Sequence, residues 1–256
     1  ALLTEVRPPP PELAERVGQV RDRLADAGAT MGAGRLEVAE QQARAVLAEA
    51  EGIDYPPLTL EARTRLGRIL HAQGQLEPAA ATLEQAYWQA LRLGYDVVAI
   101  EAGIPLIHIV GDALHRHDEG LLWMRHVDAL AERAGVKDLR RAWVLNNGGT
   151  VLMRAGRFDE ARTSLVAALE LAEAADPPDP IALGSFLNNL GGLEMTAGHV
   201  DVAHGYLVRG LDVREAALGD THPLLVGSLV NVGNVEVEQR RPHEAQQRFE
   251  RALAVL

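Results

Sequence analysis

His115, His117, Asp118 and Glu119 crowd into one short segment and offer the imidazole and carboxylate donors that a divalent metal takes. They fall in a polar turn between two apolar periodic stretches, where a solvated loop accounts for them. His199 and His204 are five residues apart, off the i, i+4 spacing that puts two ligands on one helix face, and "HEAQQ" at 243–247 lacks the second histidine of a metalloprotease helix. All three read as surface positions. "GAGRLE" at 32–37 echoes a dinucleotide loop, but no strand-like run precedes it and the third glycine is missing. His222, just before Pro223, reads as a loop-packing residue. No nucleophile stands with a base, so neither a catalytic residue, a metal nor a cofactor is expected.

Composition narrows the class further. The 256 residues are 47% hydrophobic but only 4% aromatic, an alanine- and leucine-built mixture that suits helices over sandwiches or barrels. There are no cysteines, which excludes disulfide frameworks and thiolate zinc sites. A net charge of −11 argues against nucleic acid as a partner, since phosphate binding needs a concentrated cationic surface. Lys137 is the lone lysine, a bias given no functional weight. No apolar run is long enough to cross a membrane, and the first residues lack the features of a signal peptide. A cytoplasmic location without membrane contact is therefore expected. The chain starts without Met and stops inside a periodic segment, as a piece of a longer protein would.

The elements that position these residues repeat. A small residue recurs at Ala39, Ala79, Gly120, Ala161, Ala203 and Ala245, in steps of 40, 41, 41, 42 and 42 residues. Four residues further stand Ala43, Leu83, Met124, Leu165, Leu207 and Phe249, and seven further a second small or apolar set. Together these make one apolar helix stripe. Five residues before the small position come Gly34, Gly74, Gly156 and Gly198, where a tight helix-to-helix turn needs positive φ. Twelve before come Gly67, Gly149, Gly191 and Gly233, inside the preceding helix. A mid-helix glycine costs about 1 kcal/mol against alanine, so its recurrence predicts a neighbour packed too closely for any side chain. In the third copy His108 takes that place, and Pro105 is expected to kink or start a helix.

Six helical hairpins are thus predicted, at about 12–32 with 36–51, 58–73 with 76–93, 97–114 with 118–134, 138–154 with 158–174, 179–196 with 200–217, and 223–239 with 243–256. "RPPPP" at 7–11 reads as a stiff linker, giving a linker over 1–11 and an array over 12–256. The pattern resembles the tetratricopeptide repeat. "LNNGGTVLMRAGRFDEA", "LNNLGGLEMTAGHVDVA" and "ALGDTHPLLVGSLVNVGNVE" resemble the 42-residue variant of kinesin light chains and of many bacterial signalling proteins, where similar arrays follow the catalytic domain of Ser/Thr kinases. The resemblance implies an all-α, right-handed superhelix whose first helices line the concave side, in line with solenoid physics.

On those first helices the residues three before, one after and four after the helix glycine share a face. They are Thr64, Arg68 and His71, then Asn146, Thr150 and Met153, then Asn188, Gly192 and Met195, then Val230, Asn234 and Val237. One step round lie Arg65, Asn147, Asn189 and Asn231. Asparagine is a poor mid-helix residue, and its amide can both donate to and accept from an extended peptide backbone. The same Asn147, Asn189 and Asn231 would equally serve by bonding to the next repeat and holding its pitch. Arg65 and Arg68 lie two repeats from the asparagines, too far to complete a clamp for a terminal carboxylate.

The reading is a non-catalytic scaffold for a protein or extended peptide, the regulatory segment of a larger signalling protein such as a Ser/Thr kinase. A small-ligand sensor of a transcription regulator is the alternative. The last helix carries Phe249, Leu253 and Leu256, and self-association through 243–256 is expected.

Overall fold

The computed structural model describes residues 6–255, and every regular element among them is helical. The first five residues of the expected linker, and Leu256, lie outside the described residues. Helices α1 (Pro11–Gly32), α2 (Leu36–Glu51), α3 (Pro56–Ala72), α4 (Leu76–Leu93), α5 (Asp96–His108) and α6 (His117–Arg133) make three hairpins of one compact unit, which ends at Val136. Helices α7 (Leu139–Arg154), α8 (Phe158–Glu173), α9 (Pro180–Thr196), α10 (Val200–Leu218), α11 (Leu225–Glu238) and α12 (Pro242–Val255) make three hairpins of a second, beginning at Lys137. The fold is the all-α helical-repeat class that the periodicity predicts.

Local chemistry sets the helix ends. Pro11, Pro56, Pro180 and Pro242 occupy the first helical position, where a missing N–H costs nothing. This is why α3 starts two residues before its apolar stripe. Asp179 accepts from Ile181 N and Ala182 N, both at 2.9 Å, and caps α9. Between the two helices of a hairpin the turn closes by a fixed pair of bonds: Gly74 N donates to His71 O and Gln75 N to Leu70 O, each at 2.9 Å. Gly34, Gly74, Gly156 and Gly198 all have φ between 75° and 83°. At the same register the third and sixth hairpins carry His115 at φ 57° and Arg240 at φ 60°, the two non-glycine residues with positive φ among the described ones.

Packing confirms the register. Ala39, Ala79, Ala161 and Ala203 have no exposed surface, and Ala245 is 1% exposed. A Cβ built on Gly67, Gly149 or Gly191 would stand 2.5–2.7 Å from Cγ of Leu83, Leu165 or Leu207, and one on Gly233 would stand 2.5 Å from the Phe249 ring. The helix glycine is therefore a notch for the residue four beyond the small position. First helices of successive hairpins also touch each other, α1 with α3 and α3 with α5 in one unit, α7 with α9 and α9 with α11 in the other. No pair of second helices makes a comparable contact, so within each unit the first helices form the tighter, inner layer.

The third hairpin corrects the sequence reading. Pro105 neither starts a helix nor breaks one: α5 runs through it. Its missing N–H frees the carbonyl of Glu101, four residues back, and Arg68 Nη2 donates to that oxygen at 3.3 Å. Past His108 the chain takes one π-helical turn, Ile109–Ala113, and the closing bond lengthens by one residue, from Arg116 N to Val110 O. The third hairpin has instead a close approach of the small position itself to Gly111. A Cβ on Gly120 would come within 2.3 Å of the Gly111 Cα.

Candidate functional site

The inner face of the first unit is a concavity of about 300 Å³ between α1, α3 and α5. On one wall Arg21 grips Glu61 through two bonds, Nε to Oε2 at 2.8 Å and Nη2 to Oε1 at 2.6 Å, and so is already neutralised. Arg65 lies over α1 at Gly28, where any Cβ would stand 3.1 Å from its Nη1. Thr64 is only 8% exposed, yet its hydroxyl has no hydrogen-bond partner. A buried hydroxyl left unpaired costs about 1–3 kcal/mol. Arg68 keeps open surface, but the surrounding walls displace water from its guanidinium. That desolvation lowers its pKa, Glu101 opposes the shift, and Arg65 adds to it. One turn on, the rings of His71 and His108 meet edge to face at 5.5 Å, and burial together with His108 lowers the His71 pKa.

In the second unit the asparagines are joined across hairpins. Asn189 Nδ2 donates to Asn146 Oδ1 at 2.8 Å, and Asn231 Nδ2 to Asn188 Oδ1 at 2.9 Å, while Asn146 Nδ2 reaches Asn147 Oδ1 at 3.2 Å. Each link spans 43 residues, one repeat plus one position. Asn146 is 2% exposed, so its amide is enclosed by this network. Asn188 and Asn189 are half-buried and Asn234 is exposed. Thr150 donates its hydroxyl to Asn147 O at 2.7 Å. Met153 and Met195 are half-buried beside them, soft surface of the kind that adapts to a guest.

Several tying residues were not anticipated. Glu194 is 4% exposed, receives Arg162 at 2.6 and 3.1 Å, and lies 2.6 Å from His199 Nδ1. The Arg162 hydrogen bond holds its pKa below the usual carboxylate range. The equivalent carboxylate one repeat on, Glu236, is met by Arg248 at 3.3 Å and His204 at 3.8 Å. His199 is exposed, as a surface position is, and His204 half-buried, and each also stands beside a buried acid. Arg214 reaches from α10 to Ser228 Oγ at 2.7 Å and Ser185 Oγ at 2.8 Å, filling the space that Gly184 leaves. The one advance signal for it was that glycine.

The remaining candidates stay structural. His115 and His117 sit at the α5–α6 turn with Arg116 paired to Glu119, and no cluster of three metal-ligating side chains occurs among the described residues. His222 Nδ1 accepts from Leu224 N at 3.2 Å and shapes the loop before α11. Phe249 fills the Gly233 notch, whereas Leu253 is 71% exposed. Tyr55 donates to Arg7 O at 2.8 Å, which ties the proline segment onto the first unit. No described helix is long and apolar enough to cross a membrane.

Comparison with known proteins agrees with this geometry. Three family models, each described as tetratricopeptide repeat, match residues 26–92, 141–175 and 182–256, together more than half of the chain. No curated protein matches in sequence. Among solved structures, BtubC (BKLC) from P. vanneervenii is 20% identical at a TM-score of 0.66, over 92% of this chain and 90% of that one. Aspartyl phosphate phosphatase F from Bacillus subtilis is 13% identical at 0.70, over 94% of this chain and 60% of that one. The APC/C hetero-tetramer Cut9–Hcn1 gives 16% and 0.70, over 95% of this chain and 42% of that one. At such identities the likeness is one of fold alone.

Proposed function

The chain belongs to the tetratricopeptide-repeat family, and from that premise we propose that it is a non-catalytic scaffold in which each unit's inner, first-helix face holds an extended segment of a partner protein. In the first unit Arg65, Arg68 and Thr64 take an acidic side chain of such a segment. In the second, Asn188, Asn234 and Thr150 meet the backbone of one, with Met153 and Met195 as adaptable apolar contacts. Asn146, Asn147, Asn189 and Asn231 act behind them, setting the spacing of the hairpins. The reading extends to a regulatory segment of a larger, bacterial, cytoplasmic signalling protein such as a Ser/Thr kinase, with α12 as a surface for self-association.

The observation that carries this reading is the unpaired Thr64 hydroxyl, which lines the same concavity as the exposed Arg68. With Arg21 committed to Glu61, the remaining Arg65 and Arg68 outnumber the remaining acid, Glu101, by one charge. A single carboxylate would balance that surplus and give the hydroxyl a partner. The Cut9–Hcn1 neighbour is an assembly of a repeat chain with another protein, which is the use proposed here.

An array of short peptides, with hits measured by fluorescence anisotropy, tests it. Peptides bearing Asp or Glu should bind, and Arg65→Glu with Arg68→Glu should weaken them at least tenfold. Asn234→Ala should weaken them less, with unchanged helicity. Hits that bind these variants as well as the parent, or a melting point raised by a metabolite and by no peptide, would sink it.

A further inference from the structure

A second surface lies on the outer layer of the first unit, away from its inner face. Two of the three tryptophans of the chain meet there. Trp88 of α4 stands 5.0 Å from Tyr87 and 5.9 Å from Trp123 of α6, and Tyr87 stands 5.0 Å from Trp123. Tyr87 is buried, but Trp88 is 40% and Leu122 47% exposed. Second helices do not close on each other, and the gap between α4 and α6 is a furrow of about 540 Å³. Its floor is apolar, made by Tyr87, Leu91, Leu122 and Leu130. Arg125, His126 and Arg133 flank it, and no carboxylate lines it, although the chain carries 36 acidic residues against 25 basic ones. Arg133 gives one bond to Asp96, at 3.0 Å, and keeps 62% of its side chain exposed.

We propose that this furrow docks an acidic amphipathic helix of a partner protein, with the apolar side chains of that helix seated on Leu91, Leu122 and Leu130, beside Trp88 at the furrow's edge against His126, and its carboxylates on Arg125 and Arg133. Exposed tryptophan beside arginine is the composition of interface hot spots, and an amphipathic helix laid along a groove is the mode that a furrow between two helices accepts. The sign of the rim chooses the partner: in a chain of net charge −11, a lining with Arg125, His126 and Arg133, beside the Asp96 that Arg133 holds, selects carboxylates over lysines. The inference is independent of the inner-face reading, since no residue is shared between the two surfaces.

Replacing Trp143 by Phe leaves Trp88 and Trp123 as the only tryptophans, so intrinsic fluorescence reports on the ring cluster they form with Tyr87 at the edge of the furrow. The probes are a panel of synthetic helices with leucines at i, i+3, i+4 and i+7 and glutamates elsewhere, each beside twins with Gln or Lys for Glu. The glutamate helices should shift the emission to the blue, saturably and less at high salt, with the lysine twins silent. Leu122→Asp, at an exposed position, should weaken them at least tenfold, and Arg125→Glu should weaken them while admitting the lysine twins. Circular dichroism of each variant checks folding. Equal binding of the glutamate and glutamine helices, or no emission change with any helix at millimolar concentration, would overturn the proposal. So would a dimer of the parent protein that Leu122→Asp dissolves, which would make the furrow a contact between copies.

Discussion

The two compact units share one hairpin plan and differ in what ties successive hairpins together. In the second unit the ties repeat: asparagine to asparagine one repeat apart, and the buried carboxylates Glu194 and Glu236 one repeat apart, each met by an arginine. In the first they are charged or aromatic and do not repeat, as with Arg21 to Glu61, Arg68 to the carbonyl that Pro105 frees, and Tyr87 to Trp123. The irregular unit leaves polar and aromatic groups facing solvent, which is where both candidate surfaces of that unit arise.

The sharpest break between the units should come from their tight glycines. In Gly120→Ala the new methyl meets the backbone of Gly111 at 2.3 Å, which cannot yield. A loss near or above the 3 kcal/mol upper end of overpacking is expected in urea unfolding. In Gly149→Ala the methyl meets the buried Leu165 Cγ at 2.7 Å and Ala161 O at 3.3 Å, and a helix-propensity gain of about 1 kcal/mol offsets part of the clash. That variant should be destabilised, but by less than Gly120→Ala.

The next contrast concerns the ties. Asn189→Ala leaves the oxygen of the buried Asn146 without its donor and should cost about 1–3 kcal/mol. A drop in Tm of about 2–4 °C per kcal/mol would report it. Arg21→Ala breaks a pair that is 40% and 32% exposed and should cost at most about 1 kcal/mol. Equal losses would erase the distinction between the two units.

Acid titration of a Glu194 variant beside the parent isolates one tie of the second unit. The native pKa of Glu194 is lowered, so the unfolded chain takes up that proton first as pH falls. The stabilisation is present in full above the ordinary carboxylate value and is lost as pH drops through the native one. Glu194→Gln should lower stability at pH 7 and flatten its fall at acid pH. A parallel pH profile would contradict the assignment.

The smallest effect belongs to the turns. His115→Gly and Arg240→Gly relieve a left-handed residue, worth about 1–2 kcal/mol, but add chain entropy to the unfolded state. A net gain of up to about 1 kcal/mol is expected for each, by thermal unfolding.

How much of this was legible beforehand follows the same divide. The helix stripes, the small positions and the turn glycines repeat at a fixed spacing, so the hairpins could be read from residue types alone. The pairing partners of the asparagines could not, because an amide at that position serves a neighbour or a guest equally well. The π-helical turn escaped for a related reason: a one-residue insertion leaves the spacing almost unchanged and shows only as a missing glycine at 108 and a glycine at 111. Trp88 and Trp123 are far apart in sequence and meet only through the packing of α4 and α6.

Hydrogen exchange measured with and without a bound peptide from the array tests the central claim most directly. Docking on an inner face predicts added protection in the first helices of the unit engaged, α3 around Arg65, or α7, α9 and α11 around Thr150, Asn188 and Asn234. Little change should appear in α8, α10 and α12. Protection concentrated in those second helices, with the first helices unaffected, would contradict the account.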